Sequence, residues 1–465
     1  MNKKYYFVFS LILVSLLCLG FSTIALGWSW EEASEPYKGT TINVLTIPHP
    51  TAIEPVKPLI QEFEKMTGIK VNMEYLERVS LGTKQEMELG AHTGAYDVMH
   101  MDTSKLSRYY RADWAYPLND FFDDPKLTSP EFVLDDFVKI YVDLVTMEGK
   151  IFGIPFTGES TIIFYLPQVL EEKGIAGPPS TFEEIEDIAA KIHNPPDFAG
   201  FGTRARRGEG MNVSCNWAAW LWGYGGSYFD ENGKPALDSP EAILATQKYA
   251  ELIQKYGPPG GGDFTHYELY TLFAQGNLGM YLDASVFNGI FEDKTKSSVV
   301  GKWDAAPVPA GPKNRTTSAY SHAMMIANDS KNKEAAWLFI QWFTSKDVQF
   351  RSSTIEGGGP GIVRLSVMET PEYIAKWGSN NWINANVESL KYGRSDYRPT
   401  YLPDWPQIGD TIGAYVQEVI VGEKNAETAM TELNKWLIEF MDEKGYPDWL
   451  PNFLKENNLD INRNM

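Results

Sequence analysis

The sequence predicts an α/β protein, and three observations carry that prediction. A strand, a helix and a second strand follow one another between residues 41 and 76. A further series of helix and strand patterns runs from residue 160 to residue 345. The 465 residues also suffice for two or three domains at about 100–200 residues each.

In the first series, "TINVLTI" (41–47) has β-rich composition, and "AIEPVKPLIQEFEKMTG" (52–68) has helical spacing through Ile60, Phe63 and Met66. "IKVNMEYL" (69–76) returns to alternation. Two strands joined through a helix run parallel, so this unit starts an open sheet, with "AYDVMHM" (95–101) as its next strand.

In the second series, "TFEEIEDIAAKIH" (181–193) is a predicted helix, opened by Pro178-Pro179 and a capping box from Ser180 to Glu183. "NGK" (232–234) reads as a tight turn. "SPEAILATQKYAELIQKYG" (239–257) follows as a helix with Ser239 as N-cap, Pro240 in its first position and Gly257 as its stop. "LGMYLDASVF" (278–287) and "SAYSHAMMIAN" (318–328) read as strands on either side of the turn-rich "PVPAGPKNRT" (307–316). "KNKEAAWLFIQWFTS" (331–345) is an amphipathic helix with Ala335, Leu338, Phe339 and Trp342 on one face. "EGGGPG" (356–361) is irregular and the end is helical; no solenoid repeat or low-complexity segment is present.

Ahead of these elements, Lys3 and Lys4 precede an uncharged apolar run from Tyr5 to Leu19, then small residues and Ala25-Leu26-Gly27. This is the pattern of a secretory signal peptide over residues 1–27. The uncharged run approaches the ~20 residues of a spanning helix, so a retained membrane anchor is the alternative. Cys18 lacks the small preceding residue that lipid attachment calls for. A net charge of −20, more negative once Lys3 and Lys4 are removed, repels nucleic acid and anionic membranes. Only Cys215 lies outside the leader, so no intramolecular disulfide is expected. No H-x-x-x-H, C-x-x-C or G-x-S-x-G spacing occurs, so no metal, cofactor or nucleophile elbow is predicted. "GFGTRA" (200–205) matches a dinucleotide loop only by chance.

One stretch resists a simple strand reading. "GKIFGIPFTGES" (149–160) begins as an apolar strand, then delivers Pro155, Gly158, Glu159 and Ser160 before apolar sequence resumes. Together with the segments after it, this stretch carries a resemblance. "GKIFGIPFTGESTIIFYLPQVLEEKGIAGPPSTFEEIEDIAAKI", "GGSYFDENGKPALDSPEAILATQKYAELIQKYG" and "GNLGMYLDAS", with "GKWDAAPVPAGPKNRT" and "NDSKNKEAAWLFIQWFTSKD", resemble the family 1 extracellular solute-binding proteins of carbohydrate ABC importers, the maltose-binding-like cluster. "ERVSLGTKQEM", "GAYDVMHMDTSKLSRYYRADW", "GIPFTGES" and "KYGPPG" look most like the sorbitol- and mannitol-binding branch. The chain departs from that branch at "RRGEGMN" (206–212), which lacks a tryptophan, and at Ala319-Tyr320-Ser321-His322. Polyol, monosaccharide and oligosaccharide therefore all stay open as ligands.

The resemblance implies a type II periplasmic-binding-protein fold: two α/β lobes, three hinge crossings and a ligand cleft between the lobes. It places residues 38–155 with 284–343 in lobe one and 156–283 with 344–465 in lobe two. The crossings then fall at "FGIPFTGES", near Tyr281-Leu282-Asp283 and near Phe343-Thr344-Ser345, with Gly158 supplying backbone freedom. It implies a non-catalytic, monomeric, periplasmic receptor that captures a sugar or polyol and delivers it to membrane permease subunits. A secreted glycoside hydrolase and a lectin-like carbohydrate binder are the alternatives.

Hydroxyl-rich ligands call for carboxylates that accept, arginines that donate and aromatic faces that cover C–H surfaces. Glu159 and Ser160 at the first crossing and Asp283 at the second answer that need. Glu77, Arg78 and Asp102 follow strands, at the edge where open α/β sheets bind ligands. Arg204 belongs to a basic run with Arg206 and Arg207, whose default reading is a solvated loop. Asn212 and Trp217 open an aromatic helix whose stripe otherwise reads as core, and Tyr320 and His322 occupy a polar step within a strand. Gly358 and Arg364 belong to "GGGPGIVR" (357–364), expected as a second-lobe loop over the ligand. Trp405 either stacks on a sugar or pins the helix after it.

Overall fold

The computed structural model describes residues 27–49, 52–208, 212–355, 358–378, 380–399 and 401–456. Strand β1 (Thr41–Thr46) buries Ile42, Val44 and Leu45 and pairs in parallel with β2 (Lys70–Tyr75) on one side and β3 (Val98–Asp102) on the other. The connection runs through helix α1 (Ile60–Thr67), which Gly68 ends in the left-handed conformation at φ 72°. Helix α2 (Arg78–Gly90) joins β2 to β3. The first series of the sequence thus folds as its periodicity predicts.

Apart from a short hairpin of Thr146–Met147 with Lys150–Ile151, the remaining strands are β4 (Ile154–Tyr165), β5 (Ala199–Gly202), β6 (Leu278–Ala284), β7 (Asp304–Pro307), β8 (Thr317–Ile326) and β9 (Gly393–Arg394). All nine join one sheet in the order β2-β1-β3-β8-β4-β6-β5, with β7 paired to β4 and β9 to β8. β4 and β8 are antiparallel and longer than their neighbours, and each serves both ends of the sheet. β4 uses Ile154–Ser160 against β8 and Thr161–Tyr165 against β6, while β8 uses His322–Ile326 against β3. The second end is covered by α3 (Phe182–Ile192), α4 (Asn212–Gly223) and α5 (Pro240–Tyr256). The first end buries α6 (Lys333–Phe343) almost all round, Trp337, Ile340 and Gln341 included, so this helix is less one-sided than its sequence suggests. Helix α7 (Lys346–Thr354) follows it, and α8 (Trp382–Leu390), α9 (Trp405–Ile420) and α10 (Ala426–Glu443) complete the second end. Among the described residues, no helix is long and apolar enough to cross a membrane.

Capping follows the sequence at α5, where the Ser239 side chain accepts from Ala242 N–H. At α3 the cap sits one residue later than expected: Thr181 accepts from Glu184 N–H, and Ser180 instead donates to the Glu184 carboxylate. "GFGTRA" contains strand β5, and Gly200 faces the Ala189 carbonyl, 2.6 Å from where a Cβ would lie, so its glycine serves helix–strand packing.

"FGIPFTGES" lies in β4, the strand that pairs at both ends of the sheet, while the segments expected for the other two crossings each stay at one end. β6, which contains Tyr281–Asp283, stays at the second end, between β4 and β5, and β7 joins it there; the second passage is β8. Phe343 packs on Phe156 and Ser345 caps α7, so the chain does not cross at 343–345. Arg351 of α7 still bonds Glu62 of α1, and the chain first packs at the second end again with α8, tied to Asp304 through Asn381.

Gly158 is also needed for a different reason from the one expected. Its φ is not positive; a Cβ there would lie 2.4 Å from Cζ of the buried Tyr141. Gly158→Ala forces this ring and strand apart, and should destabilise the protein by about 1–3 kcal/mol, read as a lowered midpoint in urea unfolding with an unchanged slope.

Candidate functional site

The register of β4 on β8 places Glu159 opposite Tyr320 and Thr157 opposite His322, and β3 on β8 places Asp102 opposite His322. Directly paired residues share a face, so the junction of the two ends carries a carboxylate, a phenol, an imidazole and a second carboxylate within a few residues. The loop after β5 adds Arg204, the end of β6 adds Asp283, and the segment before α9 adds Arg398.

Two of the carboxylates are paired with arginines. Arg204 Nε donates to both Asp283 oxygens at 2.8 and 2.9 Å, and Asp283, fully buried, also accepts from Tyr281 Oη at 2.7 Å and Ala284 N–H at 2.7 Å. Arg78 Nη2 reaches Asp102 Oδ2 at 3.0 Å, and Asp102 further accepts from Ser104 N–H at 3.1 Å and Ser104 Oγ at 2.7 Å. Burial opposes the Asp102 charge, but Arg78 and the Ser104 bonds outweigh it and hold this carboxyl far below its usual range. Tyr320 Oη bridges this pair, 3.3 Å from Arg78 Nη2 and 3.3 Å from Asp102 Oδ1.

Glu159 and Arg398 are in a different condition. Burial raises the Glu159 carboxyl above its ordinary value against the pull of Arg204 and Arg398. The Arg398 guanidinium, over the Tyr320 ring at 4.5 Å, keeps Nε and Nη1 buried with no hydrogen-bond partner among the described residues. Glu159, Arg204, Asp283, Ser318 and Arg398 surround a pocket of about 10 Å³, room for roughly one water molecule. Tyr320 touches Arg398 of this pocket and Asp102 of a neighbouring cleft of about 510 Å³. Arg78, His100, Asp102 and His322 line one wall of the cleft, and Trp405 and Asp410 of α9 the other.

The family model described as bacterial extracellular solute-binding protein matches residues 49–350. The chain belongs to the bacterial extracellular solute-binding protein family. Among its relatives, the erythritol/L-threitol-binding protein of Mycolicibacterium smegmatis is 28% identical over 375 residues, covering 76% of this chain and 75% of that protein. The mannitol-binding protein of Pseudomonas aeruginosa is 24% identical, covering 83% of this chain and 89% of its own length. A solute-binding protein of Agrobacterium radiobacter K84, solved with ribitol, superposes with a TM-score of 0.75 at 26% identity, over 87% of this chain and 99% of that one. Maltose-bound MalE3 of Thermotoga maritima, with a TM-score of 0.73 at 23% identity, shares the same two-lobed type II fold, over 86% of this chain and 100% of that one.

In this solute-binding protein the sequence-predicted residues separate into two groups. Arg78, Asp102, Glu159, Arg204, Asp283, Tyr320 and His322 converge at the junction. Ser160 is near them but engaged: its Oγ donates to Asn386 at 2.6 Å, tying α8 to β4. Glu77 is exposed ahead of α2, outside the cleft wall. Trp217 is core, fully buried, with Nε1 donating to Thr246 at 3.1 Å. Arg364 is fully buried within the first end, bonded to the Thr344 carbonyl at 2.7 Å and Asp136 at 3.0 Å, and Phe137 covers its guanidinium at 4.2 Å. Gly358 packs on α7, where a Cβ would fall 2.1 Å from the Ser352 carbonyl. "GGGPGIVR" is therefore part of the hinge packing of the first end rather than a lid from the second; its Gly357 lies outside the described residues. Asn212 begins α4, and its side chain lies outside the described residues. Arg206 and Arg207 are exposed, as a solvated loop requires. Trp405 borders the cleft yet is 1% exposed against Tyr228, which is the pinning role. Sequence reasoning missed Arg398 and His100, since neither the second arginine of "GRSDYRPT" nor a histidine within a strand carries any local signal.

Removing Asp283 leaves the Arg204 guanidinium buried beside no carboxylate of its own. Asp283→Ala should cost about 3–5 kcal/mol, measured by urea unfolding. A second expectation concerns pH. Burial lowers His266 to about 4, with Arg204 adding to the effect, and burial alone lowers His49 to about 4. The unfolded chain binds these protons near 6.5 while the folded chain refuses them, so stability is complete above 6.5 and falls as pH drops from there toward 4. The urea midpoint should therefore decrease between about pH 7 and 5.5, and by less in His266→Leu.

Proposed function

We propose that this extracytoplasmic binding protein captures an acyclic polyol in the cleft, closes its two ends over it, and delivers it to the membrane permease of an ABC importer. The observation that carries this reading is the arginine–carboxylate cluster at the strand junction, where Arg398 has unfilled N–H groups beside Glu159. A polyol hydroxyl both donates and accepts, so it satisfies a guanidinium and a carboxyl at once. Charge-assisted hydrogen bonds contribute about 1.5–3 kcal/mol each, and a micromolar affinity corresponds to roughly 8 kcal/mol, so several such contacts must act together. The rings at the site, Trp405 and Tyr320, are covered by neighbours, which favours hydroxyl recognition over stacking on a pyranose face. The erythritol/L-threitol-binding, mannitol-binding and ribitol-bound relatives support the same ligand class.

The strand pairing supports one lobe of 38–155 with 323–378 and another of 161–316 with 380–456, joined through β4, through β8 and a third time between 378 and 380. The leader directs the chain across the cytoplasmic membrane, either released or held by its apolar run. A hydrolase reading needs two available carboxyls flanking one bond. Asp283 and Asp102 are committed to Arg204 and Arg78, which supports the receptor instead.

Calorimetry and thermal shift with ribitol, D-mannitol, erythritol and maltose test this. A polyol should raise the melting temperature without being consumed, and solution scattering should show compaction on binding. Glu159→Ala and Arg398→Met should each weaken polyol binding by about tenfold or more. Cleavage of an oligosaccharide, with no stabilisation by any polyol, would overturn the reading.

A further inference from the structure

On the floor of the cleft, three histidines from different parts of the first end pack together. His100 Nε2 and His322 Nδ1 are 3.2 Å apart, with ring centroids at 5.0 Å. His49 sets its ring edge against His322 at 5.3 Å, and Tyr320 stands edge-on to His322 at 4.9 Å. His100 is 4% exposed, and its Nδ1 is buried with no partner among the described residues. His322 borders the cleft, and with Nδ1 turned to His100 its remaining polar ring atom is Nε2.

Resting on the polyol reading, we propose that His322 and His100 form one neutral imidazole pair that recognises a ligand hydroxyl, with His322 Nε2–H as the donor and His100 as the residue that fixes that tautomer. An N–H···N bond needs one protonated and one bare nitrogen. If His322 Nδ1 carried the hydrogen, His100 Nε2 would be bare, and His100 Nδ1 would become a buried N–H with nothing to bond. An unsatisfied buried N–H is rarer and costlier than an unsatisfied acceptor. The hydrogen therefore sits on His100 Nε2, His322 Nδ1 accepts it, and His322 Nε2 carries the hydrogen presented to the ligand. The hydroxyl that accepts from Nε2–H has a proton of its own to give, and Asp102, paired in register with His322, is an adjacent acceptor.

The pair stays uncharged for reasons of place. Burial lowers both rings, His100 to about 3 and His322 well below its usual value. The charged and titratable groups facing the pair are Arg78, Lys105 and His49, which oppose protonation, and Asp102, which favours it. Phe156 closes the apolar side at 6.0 Å from His100 and 6.1 Å from His322. His322 is thus a binding residue, and His100 is a positioning residue that acts through it.

Long-range ¹H–¹⁵N correlation of the imidazole nitrogens in the full protein at about pH 6 reads this directly, since an ordinary histidine is substantially protonated there. Expected are two neutral Nε2–H rings for His100 and His322, and a shift of the His322 signals on saturation with D-mannitol, ribitol or erythritol. His322→Phe should weaken binding of that polyol by about tenfold. His100→Phe should leave His322 as a mixture of tautomers, an effect that loss of packing alone does not produce. Polyol binding with unmoved His322 signals, or a protonated His100 or His322 at that pH, would overturn the pair while sparing the polyol reading. Failure of all three polyols to bind by calorimetry would overturn both.

Discussion

The site depends on one structural constraint: two antiparallel strands, β4 and β8, run through both ends of a single sheet. Neither end can move far without bending these strands, and every side chain on their shared face is held in register with a partner on the other. Glu159 meets Tyr320 because the strands pair there, and His322 meets Asp102 because β8 continues against β3. At the middle of such a pair the covering helices of each end fall away, so the sheet face is open to a cleft where it would otherwise be core. The polar residues of "TGES" and "AYSH" are tolerated at that point, where they pair with one another beside the cleft. The close approach of Tyr141 to Gly158 reinforces the same junction, because a bare backbone lets the helix before β4 sit directly on it.

Within the junction, charge is distributed by partner. Asp283 and Asp102 are each bound by an arginine and by further donors, and for Asp102 these outweigh burial and hold the carboxyl far below its usual range. Buried pairs of this sort contribute modestly to stability, since desolvation offsets most of their attraction, but they fix geometry. Glu159 and Arg398 have fewer obligations. Their polar atoms are the ones a ligand can satisfy without breaking a bond the protein already makes, and binding there removes the cost of leaving them unfilled.

Much of the fold was legible because it is local. Periodicity located β1, α1, β2, α5 and α6, and a carboxylate inside an apolar strand marked Glu159 and Asp283. What was not legible is pairing between distant segments. Arg364 and Asp283 both look like charged residues misplaced in apolar sequence; one answers to Asp136 far from the cleft, the other to Arg204 beside it, and no spacing distinguishes them. The segments expected for the second and third crossings miss for the same reason. Tyr281–Asp283 has the composition of a hinge strand, but its neighbours, β4 on one side and β5 on the other, keep it at one end. Trp217 shows the converse, an aromatic residue at a helix start whose single polar atom is satisfied by Thr246 in the core.

Tyr320 links these features to motion. It touches Arg398 of a pocket that admits about one water molecule and Asp102 of a cleft some fifty times larger, held by bonds to Arg78 and Asp102 on one side and by the Arg398 guanidinium on the other. Arg398 arrives from the second end, whereas Arg78 and Asp102 belong to the first, so the phenol is gripped by both. Any separation of the ends must loosen one grip, so opening of the cleft and the loss of one of these contacts are a single event.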